Sequence, residues 1–319
     1  MSPMLRQIKT KFDEALASGA ITFTNTTTSR ISSEGVEFQI RLAPALVAKP
    51  ASTLLSAATP SQLPKPNPFL PHDQKLFVST IHGTHNLLLN KFCIVRDHIL
   101  LTTREFQNQY NPLNVEDFTA ILEIMKEMPD TMTFFNCGDK SGASVLHKHV
   151  QIIPVDKAGV PMNDLFSLLE ITIPQGNPFV VPTLPFAHAA AFLPLSLSAV
   201  SANPIDISIH SSLITSLYRS ALLESFRNAG FDYTPFINPP DPTVELPNPL
   251  PPSYNLVLTT RWMLIVPRRM EMWNGISVNS VGFAGMVFLK KQEDFEQVQQ
   301  KGMMNLLKEL TFPRHLESP

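Results

Sequence analysis

The run Leu146-His147-Lys148-His149-Val150-Gln151-Ile152-Ile153-Pro154 constrains this chain more than any other stretch. Side chains alternate across a strand, so a strand here puts His147, His149, Gln151 and Ile153 on one face, successive members about 7 Å apart. Two imidazoles and a carboxamide then line a single surface. Just before them comes Asn136-Cys137-Gly138-Asp139-Lys140-Ser141-Gly142-Ala143-Ser144, a small, polar turn whose backbone N–H groups can hold phosphate oxygens. A phosphate-sized loop leading into a histidine ladder points to nucleotidyl transfer through a covalent histidine.

The chemistry explains why these residue types are needed. A neutral imidazole nitrogen attacks phosphorus in line and gives a phosphoramidate, which a second nucleophile then breaks. The ordinary histidine pKa keeps the ring neutral near pH 7, but its other nitrogen must be held so that the attacking one is aimed. Charge on the transferring phosphate needs preorganised donors. His149 is central in the ladder, with His147 and Gln151 on either side. Ser144 and the backbone from Gly142 to Val145 are candidate donors; Lys91, Lys140 and Lys290 are candidate charge partners for a polyphosphate.

Taken alone, these features also have plainer readings. Histidines at i and i+2 are more often surface residues or a metal pair, and His98 on another strand is the third ligand a metal would want. Gly138 and Gly142 suit any tight turn. Asn90 and Asn136 at strand ends suit turns as well, and Lys290 ending an apolar run suits a solvated lysine. Cys137 reads as a small buried residue rather than a nucleophile.

Around this motif the pattern alternates short strands with few helices. Met1–Ala20 reads as an amphipathic helix with no signal-peptide core. His85–Phe92 and Asp97–Thr103 are apolar runs of strand length. Val115, Phe118, Ile121, Leu122 and Met125 recur at helical spacing within 114–128, and Pro129 ends that helix. Thr131–Asn136 is a strand leading into the small-residue turn. Leu213, Leu217, Leu223 and Phe226 mark a helix ending near Gly230. Tyr254–Thr259 and Trp262–Val266 read as hairpin-connected strands, and a polar helix starts at Gln292. The segments 51–71 and 236–252 are rich in proline and read as irregular loops. This order predicts an α+β fold, an antiparallel sheet with helices packed against one face.

Composition narrows the function classes. The chain has 319 residues and a formal net charge of -2, which gives no support for general nucleic-acid binding. Length permits a large core in one elaborated domain or two. Its two cysteines, Cys93 and Cys137, cannot build a disulfide scaffold or a four-cysteine zinc site, which fits a reducing compartment. The apolar run Ala187–Val200 contains His188 and Pro194 and is too short to span a bilayer. A cytoplasmic or nuclear enzyme is expected.

The His-x-His-x-Gln strand, preceded by Asn136 and Gly142-Ala143-Ser144-Val145, resembles the histidine-triad superfamily. Gln151 stands where hydrolase members carry a third histidine, which is similar to the nucleotidyltransferase branch. Further matching stretches are Asn67-Pro68-Phe69-Leu70-Pro71, Leu88-Leu89-Asn90-Lys91-Phe92, Asp97-His98-Ile99-Leu100-Leu101, Thr103-Arg104-Glu105-Phe106, Tyr254-Asn255-Leu256, Trp262-Met263 and Gly282-Phe283-Ala284-Gly285-Met286. The collinear set resembles the fungal diadenosine tetraphosphate phosphorylases, also called ATP adenylyltransferases, over nearly the whole chain. The resemblance implies one elaborated domain over 1–319. It implies phosphorolysis of diadenosine tetraphosphate to ADP and ATP, with His149 as the nucleophile that takes up AMP. Gln151 would bond the phosphate of the adenylylated intermediate, and His147 would assist. Lys49, Asn90, Lys91, Asn136, Gly142, Ala143, Ser144, Val145, Asn279, Ser280, Val281, Met286 and Lys290 fall where family members contact the nucleotide.

The expected partners are a dinucleoside polyphosphate, ATP, ADP and phosphate, with no nucleic acid and no membrane, and a monomer is expected. A divalent cation, magnesium, is expected to arrive with the nucleotide rather than in a protein metal site, because phosphate oxygens and water suit it better than imidazoles. Two alternatives remain. A hexose-1-phosphate uridylyltransferase typically has proline where Lys148 stands. A non-enzymatic nucleotide-binding protein would not need a nucleophile.

Overall fold

The structure, a computed structural model, describes residues 1–43, 66–157, 159–194, 204–239, 243 and 248–315 (for 204–206 the backbone alone). Its centre is a nine-stranded, wholly antiparallel sheet. In spatial order the strands are Pro178–Phe179, Ala189–Phe192, Trp262–Pro267, Tyr254–Leu258, Thr131–Cys137, His149–Pro154, Ile99–Thr103, His85–Leu89 and Phe77–Ile81. Strands from both halves of the chain meet where Asn136 and Cys137 pair with Asn255 and Tyr254.

Alternation along these strands divides the core in two. Val150 and Ile152 point to a face covered by the helices Pro3–Ala17, Val115–Glu127 and Pro204–Arg227. The helix Val115–Glu127 forms where its periodicity predicts. A reciprocal cap starts it: the Asp117 N–H donates to Asn114 Oδ1 at 2.9 Å, and the Asn114 N–H donates to Asp117 Oδ2 at 2.8 Å. Phe118, Ile121, Leu122 and Met125 form its buried stripe.

Ile153 and Phe134 point to the opposite face, which carries a second apolar layer. The α+β class and the central place of the histidine strand are as the sequence indicates. This second layer is additional to the helices expected on one face. It consists of a small sheet, Thr27–Ser33, Val36–Leu42 and Met286–Leu289, the last two parallel. The helices Asn163–Glu170, Gln292–Lys301 and Met303–Leu310 also contribute. Among the described residues no helix is long and apolar enough to cross a membrane.

The histidine strand begins at His149 rather than Leu146. Residues 146–148 still pair, but partly with an irregular segment: Gln109 N–H donates to Leu146 O at 2.7 Å and Lys148 N–H to Gln107 O at 2.8 Å. His147 is left as an isolated bridge to Asn108. Within the loops expected at 51–71 and 236–252, residues 66–71 are irregular. Residues 51–65, 240–242 and 244–247 lie outside the described residues.

Candidate active site

His149 is buried at the start of its strand, and the segment just before it holds the ring. Its Nδ1 lies 2.8 Å from the carbonyl oxygen of His147. A carbonyl only accepts, so Nδ1 carries the proton and Nε2 carries the lone pair in the neutral ring. The Gln109 side chain clamps the same residue's backbone, accepting from its N–H at 2.8 Å and donating to its carbonyl at 3.2 Å. The Phe69 ring packs against the imidazole at 5.3 Å between centroids.

His147 is enclosed more completely. Its Nε2 lies 2.8 Å from Thr103 O and 2.9 Å from Thr103 Oγ1, and its Nδ1 lies 3.0 Å from Asn67 Nδ2. The consistent tautomer donates from Nε2 and accepts at Nδ1. Burial pulls its pKa below the usual histidine value, against the opposing pull of the Thr103 and Glu105 backbone. Phe69 and Phe106 edge against the ring. The contact His147 makes with the His149 ring is through its backbone carbonyl, while its own imidazole is taken up by Thr103 and Asn67.

Gln151 belongs to a directional chain. Phe92 N–H donates to Asn90 Oδ1 at 3.4 Å, Asn90 Nδ2 lies 3.0 Å from His98 Nδ1, and His98 Nε2 lies 3.1 Å from Gln151 Oε1. His98 is thus engaged by two carboxamides. Among the described residues no group of three or more His, Cys, Asp and Glu side chains could hold a metal ion.

A second network fixes Asn136, which is 2% exposed. Its Oδ1 accepts from Asn255 Nδ2 at 2.9 Å, from Ser280 N–H at 3.0 Å and from Ser280 Oγ at 2.7 Å. Its Nδ2 is buried with no hydrogen-bond partner. Such a donor is costly unless something else accepts from it. Asn255 is itself fixed by the buried Arg268, whose Nη1 donates to Asn255 Oδ1 and, at 2.8 Å, to Val278 O. Burial pulls the guanidinium down to about 9, so it stays charged at neutral pH.

The turn between the two strands is tied to the same place. Asn255 Nδ2 donates to Ser141 O at 2.9 Å, and Ser253 Oγ accepts from Lys140 N–H at 3.1 Å. Gly142 has φ +85°, and a Cβ there would come 3.0 Å from Asn279 Cβ, so both conformation and space call for glycine.

Behind the histidines, on the other face of the strand, Lys148 is 2% exposed. Its ammonium donates to Asp117 Oδ2 and, at 3.0 Å, to Pro112 O. Asp117 also accepts from His85 Nε2 at 2.9 Å. Burial pushes the Asp117 carboxyl up, but Lys148 and His85 outweigh it and hold it at about 2. A helix cap and the residue between the two histidines are thereby locked together.

A cavity of about 420 Å³ opens beside this apparatus, with Asn90, Gly142, Gln151, Asn279, Val281, Met286 and Lys290 among its lining residues. Asn136 and Ser280 stand behind that wall through their mutual bonds. Other expected contacts lie apart from it. Ser144, Lys91 and Lys140 are exposed, Ala143 packs with Tyr110 and Leu146, and Val145 packs with Phe69. Lys49 lies outside the described residues.

Sequence reasoning missed several members. Asn67 and Phe69 belong to a stretch that the resemblance includes, but within a proline-rich loop it gives them no role, and both contact the histidines. Gln109, Arg268 and the Lys148–Asp117–His85 group carry no local signature. Glu271 was not singled out either. It is buried at the cavity wall; its Oε1 accepts from Ser277 Oγ at 2.9 Å while Oε2 has no partner. Burial raises its pKa above the usual carboxylate value. A carboxylate six residues before a serine gives no sequence signal of this arrangement.

Comparison with known proteins gives the family and the fold. The family model for the Ap4A phosphorylase N-terminal domain matches residues 2–168, and that for the ATP adenylyltransferase C-terminal domain matches residues 182–313. A diadenosine tetraphosphate phosphorylase of Saccharomyces cerevisiae is 28% identical over 316 residues, covering 92% of this chain and 90% of that protein. The crystal structure of a yeast Ap4A phosphorylase, Apa2, superposes with a TM-score of 0.77 at 24% identity, with 99% of each chain covered. The structure of that protein in complex with Ap4A gives 0.76 at the same identity, again covering 99% of each chain.

Proposed function

The chain belongs to the Ap4A phosphorylase family, and from that premise we propose that it splits diadenosine tetraphosphate (Ap4A) with inorganic phosphate into ADP and ATP through an adenylylated His149. The observation that carries the reading is the pinned Nδ1 of His149, which makes Nε2 the nucleophilic nitrogen. Nε2 attacks the α-phosphorus of one adenosine, a P–N bond forms, and ATP leaves with the bridging oxygen. That oxygen departs as a phosphate anion and needs no proton from the protein. Inorganic phosphate then attacks the same phosphorus, breaks the P–N bond and releases ADP, restoring His149.

The surrounding groups suit the charges involved. The His147 carbonyl accepts from Nδ1–H and stabilises the positive ring of the intermediate. Gln151 and the unpartnered Nδ2 of Asn136 supply donors for non-bridging oxygens, and Lys290 supplies charge at the cavity wall. Neither carboxamide can serve as a base for water. Magnesium is proposed to enter on the polyphosphate, since several phosphate charges need neutralising. The enzyme is further proposed to act as a monomer in the cytoplasm or nucleus, without nucleic acid.

The test is product analysis with Ap4A, with and without phosphate. ADP plus ATP that requires phosphate supports the reading; neither product refutes it. Mass spectrometry with phosphate omitted should show one AMP on the peptide containing His149.

A further inference from the structure

We propose that His98 is a positioning residue: it fixes which end of the Gln151 carboxamide faces the cavity, and so reserves the adenylylated His149 for phosphate rather than water. The proposal rests on the function given above.

The geometry allows one direction at every link. A backbone N–H can only donate, so the Phe92 amide settles Asn90 Oδ1 as an acceptor and turns Asn90 Nδ2 toward His98. His98 Nδ1 therefore accepts, which puts the ring proton on Nε2. That proton goes to Gln151 Oε1, 3.1 Å away. The oxygen end of the carboxamide is thereby occupied, and the NH2 end is left for the ligand. Asn90, His98 and Gln151 all line the same cavity.

The orientation has a chemical consequence. With its NH2 end presented, Gln151 donates to a phosphate oxygen, and its acceptor is turned to His98 and away from where a water would have to be held beside the phosphorus. Turned by a half rotation, it would present Oε1 instead. That oxygen would repel the phosphate and accept a hydrogen bond from water. Water would then break the P–N bond and release AMP with His149 restored.

Two substitutions separate positioning from bulk. His98→Phe keeps a ring of similar size, including its packing near Phe134, but loses both hydrogen bonds. His98→Gln can still accept from Asn90 and donate to Gln151. With Ap4A, magnesium and phosphate, H98F should lower kcat roughly tenfold, the worth of one hydrogen bond to a charged group. KM should change little, and AMP should appear beside ADP. H98Q should recover most of kcat and the ADP-only product. A merely structural role would lower thermal stability without changing the ratio of AMP to ADP. If H98F does not fold, His98→Asn, too short to reach Gln151, takes its place with the same expected product shift. Wild-type kcat and product ratio in H98F, or equal impairment of H98F and H98Q, would overturn the proposal. Wild-type protein runs alongside: if it gives no phosphate-dependent ADP and ATP, the functional reading itself fails. An active wild type with unaffected H98F refutes only the role of His98.

Discussion

The Nδ1 of His149 lies 2.8 Å from the carbonyl oxygen of His147, so the segment leading into the strand sets the tautomer of the nucleophile. A side chain two residues away would need its own support to do this. The His147 carbonyl gets that support from the backbone bonds that tie 146–148 to Gln107 and Gln109.

Replacing His149 with alanine should therefore abolish turnover, by on the order of a thousandfold or more, while nucleotide binding persists. His147→Ala leaves the accepting carbonyl in place and should be milder, roughly tenfold to a hundredfold. Steady-state assays beside equilibrium binding check both. Near-normal turnover in His149→Ala would remove the nucleophile assignment.

Gln151→His should weaken transfer to phosphate and raise hydrolysis, because an imidazole can activate water where a carboxamide cannot. Chromatography of the products would show AMP gained and ADP lost. An unchanged ADP yield without added AMP would count against this role for Gln151.

Asn136→Asp keeps the oxygen that accepts from Asn255 and Ser280 and replaces the unpartnered Nδ2 with a second oxygen. Nucleotide binding should weaken by about tenfold or more, as a donor to phosphate is lost and a like charge is added. Calorimetric titration measures this, and circular dichroism confirms the fold. Equal affinity would show that Nδ2 is not waiting for a ligand.

The Lys148–Asp117 pair should make stability pH-dependent. In the folded protein Asp117 titrates at about 2, below the roughly 3.9 of an unfolded aspartate. Its contribution is thus fully present above about pH 4 and is lost as pH falls from there through 2. Lys148→Met removes the ion partner of a buried carboxylate, leaving it His85 and the Asn114 N–H, and should cost about 3–5 kcal/mol at pH 7. The gap to the wild type should narrow as the pH falls from about 4 toward 2. Denaturation curves across that range test it; equal stability at pH 7 would be the contrary result.

Purified protein should carry little stoichiometric metal, lose activity with chelator and recover it with magnesium. Elemental analysis and an add-back assay suffice. Zinc bound at about one per chain and dependent on His147 and His149 would favour the metal-site reading instead.

Local chemistry made part of this legible in the sequence. The helix Val115–Glu127 carries its stripe, its cap and its stop within 16 residues, so its bounds follow from the sequence. The histidine strand was legible in its alternation, because Gln151 and Ile153 face the cavity while Val150 and Ile152 face the helices. Its first residue was not, since Gln107 and Gln109 reach 146–149 from a segment with no strand pattern. The strands Thr27–Ser33 and Val36–Leu42 pair with each other across the turn at Glu34 and Gly35, a local hairpin the sequence reading passes over, and only Val36–Leu42 meets the distant Met286–Leu289. Arg268 and Asp117 act only through contacts across the fold, and a long-range contact leaves no period or spacing to read. Its place on a neighbouring strand suggests His98 as a metal ligand, and the structure sets it between two carboxamides instead.

The pairing of Thr131–Cys137 with Tyr254–Leu258 joins the first half of the chain to the second inside one sheet. A cut in the 171–177 stretch would leave each fragment with a bare strand edge, Thr133–Cys137 on one and Tyr254–Leu258 on the other, flanked by apolar faces. Each piece alone would be prone to aggregate or to swap that edge with another copy. Mixed together, the two pieces would find in each other the one partner whose edge already fits, so activity recovered from co-expressed fragments would report the closing of this seam.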